Sequence, residues 1–397
     1  MAPKIAILGA GPSGLLLARL LHLYISPTPG TLTLFESDPS ASHRTQGGTL
    51  DLHTATGQAA LQAAGLYNAF LSHARPEAEA LRLIRFDGSV VWDENGPDKR
   101  VESGGRPEID REKLRELLLE SLPEGMVQWG RKVERVESSG EEGKWDVVFA
   151  DGTRHDRFDL VVGADGAWSR VRPLLTDVVP FYSGITSVEL WCLKAEERDP
   201  FITKFVGRGS MFMFDEGRAI QAQRLGSGDV RTYANVRVEK GWLDSCGIDW
   251  TSEEARSELT EKYFGDCGDD LKRLIKESRD EIVTRELFML PVGVTWEPKR
   301  GITVMGDAAH LMTPFAGVGV NVALGDALEL ATALKRAKEK WEGENLTGAI
   351  AEAIKDYEAS MFERGKANAE KTARNMRGHF SAGGVDHMLG RLRGSRA

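Results

Sequence analysis

Lys4-Ile5-Ala6-Ile7-Leu8-Gly9-Ala10-Gly11-Pro12-Ser13-Gly14 runs directly into the apolar stretch Leu15-Leu16-Leu17-Ala18-Arg19-Leu20-Leu21. A short apolar strand thus feeds a G-x-G-x-x-G turn that opens a helix, the context a dinucleotide-binding unit requires. Gly9 permits the tight turn, Gly11 lets backbone amides approach a pyrophosphate, and Gly14 lets helix and strand pack closely. The next apolar run, Thr31-Leu32-Thr33-Leu34-Phe35, ends at Glu36, whose carboxylate suits both hydroxyls of an adenosine ribose. The interval to Glu36 exceeds the usual ~20 residues because Ser26-Pro27-Thr28-Pro29-Gly30 lengthens the connection. An acid where a ribose 2′-phosphate would sit argues against NADP in this unit and fits FAD or NAD.

A second strand–loop–helix unit lies far downstream. Ile302-Thr303-Val304-Met305 reads as a strand, Gly306-Asp307-Ala308-Ala309-His310-Leu311-Met312-Thr313-Pro314-Phe315-Ala316-Gly317-Val318-Gly319 as a loop, and Val320-Asn321 as the start of a long amphipathic helix. The carboxylate of Asp307, at a strand end, suits sugar or polyol hydroxyls. Gly317, Gly319 and Asn321 bring backbone amides to the helix start, where the dipole favours negative charge. His310 and His53 are read as packing residues rather than as bases.

The 397 residues allow two or three domains. Hydrophobic residues at 41% and charged residues at 28% exclude disordered and fibrous classes. The net charge of −9, with no basic block beyond Arg391, Arg393 and Arg396, argues against a nucleic-acid partner. Cys192, Cys246 and Cys267 lie far apart, in odd number and without C-x-x-C spacing, so neither a disulfide frame nor a metal site is expected. No apolar run reaches the ~18 residues of a membrane span, and the first apolar stretch breaks at Gly9, a poor signal-peptide core. A cytoplasmic monomer is the expectation.

To about Thr176, strands and helices alternate. Asp110–Leu119 is expected as a helix burying Leu114, Leu117 and Leu118, and Phe158–Gly166 gives a buried strand that ends in Asp165. Between Thr176 and Pro291 the pattern turns to alternation at Met211–Phe214, Ala219–Arg224 and Val230–Val238, which predicts an antiparallel sheet. From Val320 to about Arg377 the chain reads as helix. The expected architecture is therefore mixed α/β. A Rossmann-type dinucleotide domain (1–175 with 292–330) holds an inserted substrate-binding sheet domain (176–291), and a helical region follows (331–397).

G-A-G-P-S-G at 9–14, D-L-V-V-G-A-D-G-A-W-S-R-V-R at 159–172 and G-D-A-A-H at 306–310 resemble, in this order, the class A flavin monooxygenases, which include para-hydroxybenzoate and salicylate hydroxylases. The resemblance spans about residues 4–380. A narrower one, in Arg44–His53, Arg106–Arg111 and the segment after His310, is to the tetracycline destructases. It implies flavin-site roles for Arg44, Asp51, Arg115 with Arg111, and Asp307, and contact of Asp165 with FAD and the nicotinamide donor. Glu189, Gln223 and Tyr233 fall where that branch holds its substrate with other polar residues, and Pro314 and Phe315 belong to the same pocket. Thr313 and Val318 replace the Pro and Gln usual in the branch.

The resemblance implies FAD and NADPH, with NADH as an alternative, O₂, and a small aromatic or polyketide substrate. An electron-rich phenol or enol carbon would be hydroxylated through a flavin C4a-hydroperoxide, the expected substrate being a tetracycline or a related fused polyketide. No side chain beyond the flavin then needs a covalent catalytic role. A salicylate-type hydroxylase, a flavin oxidoreductase without oxygen insertion and a nucleotide-sensing regulator are the competing readings.

Overall fold

The computed structural model describes residues 3–25, 30–43, 47–96, 105–341 and 346–394. Its nucleotide-type core is a five-stranded parallel sheet in the order Ile302–Val304, Leu160–Gly163, Ile5–Leu8, Leu32–Phe35, Val127–Gln128. The three central strands are buried at every position, as expected for parallel strands covered on both faces. Helix Pro12–Ile25 buries Leu15, Leu16, Leu17, Leu20 and Leu21 and packs on helix Gly319–Lys338. Long helix Leu346–His379 is fixed from the same side: Glu358 accepts from Trp296 Nε1 at 3.0 Å and Thr303 Oγ1 at 2.7 Å. Among the described residues no helix is long and apolar enough to cross a membrane.

The second layer is a seven-stranded sheet in the order Ile282–Met289, Phe181–Cys192, Val230–Arg237, Arg218–Arg224, Ser210–Asp215, Leu81–Ile84, Val90–Asp93. Its faces separate by strict alternation. Val188, Leu190, Met211, Met213, Ile220, Ala222 and Ala234 pack with Leu259, Leu271 and Leu274 of the helices behind. The alternate residues face an internal cavity.

One feature departs from the sequence-based expectation. The large sheet is not confined to 176–291, because the hairpin Leu81–Ile84 and Val90–Asp93 joins its edge, and Leu81–Ile84 runs parallel to Ser210–Asp215. That sheet is therefore mixed rather than purely antiparallel. Within the helical region expected at 331–397, the tail forms helix Gly384–Gly394, which docks Val385 and Leu389 against Phe214, Phe315 and Phe380.

Candidate functional site

A single cavity of about 2730 Å³ runs from the first βα turn, past the Asp307 loop, to the face of the large sheet. That exceeds the roughly 300–1,000 Å³ of an ordinary small-molecule pocket, leaving room for a dinucleotide and a second ligand.

At one end the turn after Ile5–Leu8 carries Gly9 at φ 106°, where a Cβ would overlap the Ala164 carbonyl. Gly14 abuts the Gly9 carbonyl, whereas the space where a Gly11 side chain would point is empty to 4 Å. Helix Pro12–Ile25 therefore starts at an open surface with its first amides unpaired by helix geometry. Glu36 lies against it, 7% exposed, accepting from the Ala10 amide at 2.7 Å and, with its other oxygen, from Ser37 Oγ and the Asp38 amide at 2.9 Å. A carboxylate has about four acceptor positions, so ribose hydroxyls still find room.

Arg115 closes this end. It donates to the Ala41 carbonyl at 2.6 Å, stacks over Trp129 at 5.5 Å, and leaves a buried Nε without a partner. Asp165 accepts from the Arg170 amide at 2.7 Å through Oδ2, while Oδ1 is buried and unpartnered on the cavity wall. Burial raises its carboxyl, opposed by Ser169, the Arg170 amide and Arg172. An orphaned carboxylate oxygen, an orphaned guanidinium Nε and a bare helix start fit the ribose, phosphate and ring edges of FAD.

In the middle, Asp307 begins the short helix Asp307–His310 and opens into the cavity. Gly317, at φ 62°, ends the turn Pro314–Ala316, and Gly319 begins the next helix beside it. Asp51 lines the cavity next to Gly317 and lies 3.1 Å from His53 Nε2. Arg111 lines the same cavity within electrostatic reach of Tyr233 and Asp307; desolvation lowers its pKa against the pull of both groups.

The side chain of Asn321 turns away from the cavity: the residue is 1% exposed, and its side-chain amide binds the Asp51 carbonyl and the His53 amide. That side chain positions the loop bearing Asp51. Arg44 lies outside the described residues. His310 has the packing role expected of it, 2.6 Å from Asp326, which also receives Arg364 at 2.7 Å and the Gly306 amide at 2.8 Å.

At the far end the sheet face is graded. Trp191, Glu189, Arg231 and Arg285 form a charged corner; Tyr233, Gln223, Gln221 and Asn235 follow; Phe212, Phe214, Phe315 and Pro314 make an aromatic end. Glu189, Gln223 and Tyr233 do face the cavity together. Arg231, Arg285 and Trp191 were missed, although two-residue spacing from Tyr233 places Arg231 on the same face. His379 was missed for want of any local signal. It lines the aromatic end, stacked 4.1 Å from Phe214, with both ring nitrogens unpartnered, and burial with help from Arg391 and His387 lowers its pKa to about 3. Glu108, on the cavity wall and bonded to Thr49 at 2.5 Å, is pushed by burial to about 7.

Comparison with known proteins agrees with this geometry. The family described as FAD binding domain matches residues 3–348. The chain is 33% identical to the monooxygenase penA of Penicillium thymicola, over 97% of both proteins. It is 32% identical to the monooxygenase asqM of Emericella nidulans, over 95% of this chain and 96% of the relative. The crystal structure of tetracycline destructase Tet(51) superposes with a TM-score of 0.68 at 17% identity, covering 100% of this chain and 95% of that one, a likeness of fold alone. By the extent of the family match and the identity to these two monooxygenases, the chain belongs to the FAD-binding-domain family of class A flavin monooxygenases.

Proposed function

We propose that this chain uses NADPH and O₂ to hydroxylate an electron-rich phenol or enol carbon of a fused-ring aromatic or polyketide substrate, a tetracycline being the first compound to try. When bound, FAD supplies the redox and oxygen-activating chemistry. The chain's own residues bind, orient and exclude water. Gly11 and the start of helix Pro12–Ile25 would hold the pyrophosphate, Glu36 the adenosine ribose, and Asp307 the ribityl hydroxyls. The amides after Gly317 would stabilise negative charge on the ring, helped by the dipole of a 20-residue helix. Arg111 and Asp165 would contact FAD, and Asp165 also a nicotinamide donor. Pro314, Phe315 and Phe214 wall the far end against water.

The observation that carries this reading is the graded sheet face opposite Asp307 and Gly317, charged at Glu189 and Arg231 and aromatic at Phe212 and Phe214. It matches a flat molecule with oxygens along one edge and an apolar ring at the other. A single G-x-G-x-x-G unit leaves NADPH without a domain of its own, which supports transient docking over the cavity.

The test is NADPH consumption by the FAD-loaded protein with tetracycline, polycyclic phenols and salicylate added in turn. Acceleration by a fused-ring compound is expected. Acceleration by salicylate alone replaces the fused-ring substrate with a simple phenol, and no acceleration by any compound of the three kinds counts against the reading.

A further inference from the structure

Strands Thr49–Asp51 and Glu108–Asp110 pair antiparallel, with Asp51 opposite Glu108 and Thr49 opposite Asp110. Side chains alternate between the faces of such a ribbon. Leu50 and Ile109 enter the core, so Thr49, Asp51, Glu108 and Asp110 share the other face. Like charges set directly opposite each other are unfavourable. Two of the three carboxylates have partners: Asp110 receives Arg75 Nη2 at 2.7 Å and the Gly226 amide at 3.0 Å, and Asp51 lies 3.1 Å from His53 Nε2 and 3.9 Å from Arg106 Nη1. Among the described residues, the side chain of Glu108, 9% exposed, is bonded to the Thr49 hydroxyl alone, 2.5 Å from Oε2. Its Oε1 stays open to the cavity that both residues line. Burial raises the carboxyl to about 7 with help from Asp51 and Asp110, against Thr49 and Arg75. Glu79, from turn Pro76–Glu79, and Arg111, from helix Arg111–Glu120, line the same cavity.

The ribbon joins the two ends of the cavity. At one end Asp51 Oδ1 comes within 3.8 Å of where a Cβ on Gly317 would stand. At the other, Gly48, the residue before Thr49, abuts the substrate face: a Cβ there would be 3.0 Å from Arg231 Nη1, 3.2 Å from the Tyr233 hydroxyl and 3.9 Å from Gln223 Oε1. Glu108 therefore lies between the loop at the expected flavin ring and the wall at the expected substrate. A carboxyl poised near neutral pH, with one oxygen held and the other open to a ligand, is suited to exchanging a proton with that ligand.

We propose that Glu108 is the base that accepts the proton of the substrate's phenol or enol hydroxyl. The substrate O–H bond breaks, an O–H bond forms at Glu108 Oε1, and the electron pair stays on the substrate oxygen, enriching the carbon conjugated to it. Thr49 holds Oε2 and so aims Oε1, while Asp51 and Asp110 keep Glu108 basic enough for the task. The proton passes to water after the product leaves. The inference rests on the reading that the cavity takes an aromatic or enolic substrate.

The experiment titrates the FAD-loaded protein, without NADPH, with 2-naphthol and with 2-methoxynaphthalene, which has no proton to give, following the flavin absorbance. Both probes are uncharged in water from pH 6 to pH 8. The affinity for 2-naphthol is expected to rise about tenfold over that range, as the ionised fraction of a group at about 7 does, while that for the ether stays flat. Glu108→Gln should erase the rise, leave FAD affinity within twofold, and lower turnover of the phenol that best accelerates NADPH use by about a hundredfold. Glu108→Asp should retain the rise, and Thr49→Val, which removes the bond to the carboxylate, should move it to higher pH. A rise that survives Glu108→Gln, or equal pH dependence of the two probes, overturns the inference alone. So does turnover by Glu108→Gln within threefold of wild type, or phenol binding lost only together with FAD. Should Glu108→Gln not fold, a rise unmoved in Thr49→Val overturns it. If wild type binds neither probe and no phenol accelerates NADPH use, the aromatic-substrate reading falls and takes the inference with it.

Discussion

Asn321 joins two segments 270 residues apart by clamping Asp51: its Nδ2 donates to the Asp51 carbonyl at 2.7 Å while its Oδ1 accepts from the His53 amide at 2.7 Å. The loop that presents Asp51 is thereby stitched to the helix that begins at Gly319. Both amides are exchanged inside the protein, so losing either partner leaves a buried group unmet. Asn321→Ala is expected to lower unfolding free energy by about 2–3 kcal/mol and to weaken FAD binding as well, because Asp51 and Gly317 lose their common anchor. Asn321→Asp keeps the acceptor but sets a buried carboxylate oxygen against the Asp51 carbonyl, and should cost at least as much as Asn321→Ala. Denaturant unfolding with and without FAD checks both; an unchanged midpoint and unchanged FAD affinity in Asn321→Ala would refute the clamp.

Asp307 and His310 sit on one short helix but do different work. Asp307→Ala should leave unfolding nearly unchanged and weaken FAD by about tenfold to a hundredfold, the loss of one charge-assisted acceptor at about 1.5–3 kcal/mol. His310→Gln breaks a buried ion pair and should cost about 3–5 kcal/mol of stability.

The pH dependence of the His310 effect follows from its surroundings. Burial lowers its pKa, yet the charge and hydrogen bond of Asp326 outweigh this and hold it above the ordinary value. Its contribution is therefore full below about pH 6.5, the usual histidine pKa, and fades as pH rises through the raised folded value. The stability gap between wild type and His310→Gln should accordingly narrow in alkali. A gap independent of pH would show that folding leaves the His310 pKa unshifted, and a gap that narrows in acid would show that His310 is neutral in the folded protein.

His379 has the opposite sign. With a folded pKa of about 3, it takes up its proton only on unfolding, so stability falls as pH drops below about 6.5. At pH 5 the penalty is about 2 kcal/mol. His379→Phe should therefore gain stability relative to wild type on going from pH 8 to pH 5. Thermal unfolding of the two proteins at both pH values decides it, and a parallel decline would contradict the neutral assignment.

The nucleotide-binding half was legible because its chemistry is local. Gly9, Gly11, Gly14 and Glu36 lie within one βαβ unit, and the tight turn, the open helix start and the close packing there follow from sequence spacing. Alternation likewise disclosed the strands bearing Gln223 and Tyr233. What sequence hid depends on distant partners. Arg231 becomes a site residue only when strand pairing puts Glu189 beside it. Leu81–Ile84 could not be assigned to the large sheet because its partner, Ser210–Asp215, lies over a hundred residues later. The clamp made by Asn321 was hidden for the same reason: its position at a helix start points to its backbone amide, while its side chain turns to Asp51 and His53. His379 lies at the end of a helix whose pattern records only packing.

The central claim, oxygen insertion into an aromatic or enolic substrate, is tested most directly with isotopic oxygen. The FAD-loaded protein is incubated with NADPH, tetracycline or a polycyclic phenol, and ¹⁸O₂, and the products are examined by mass spectrometry. The account predicts a product carrying one ¹⁸O atom, formed in proportion to NADPH consumed. NADPH oxidation whose label appears only in hydrogen peroxide or water, with every organic compound returned unlabelled, would contradict it.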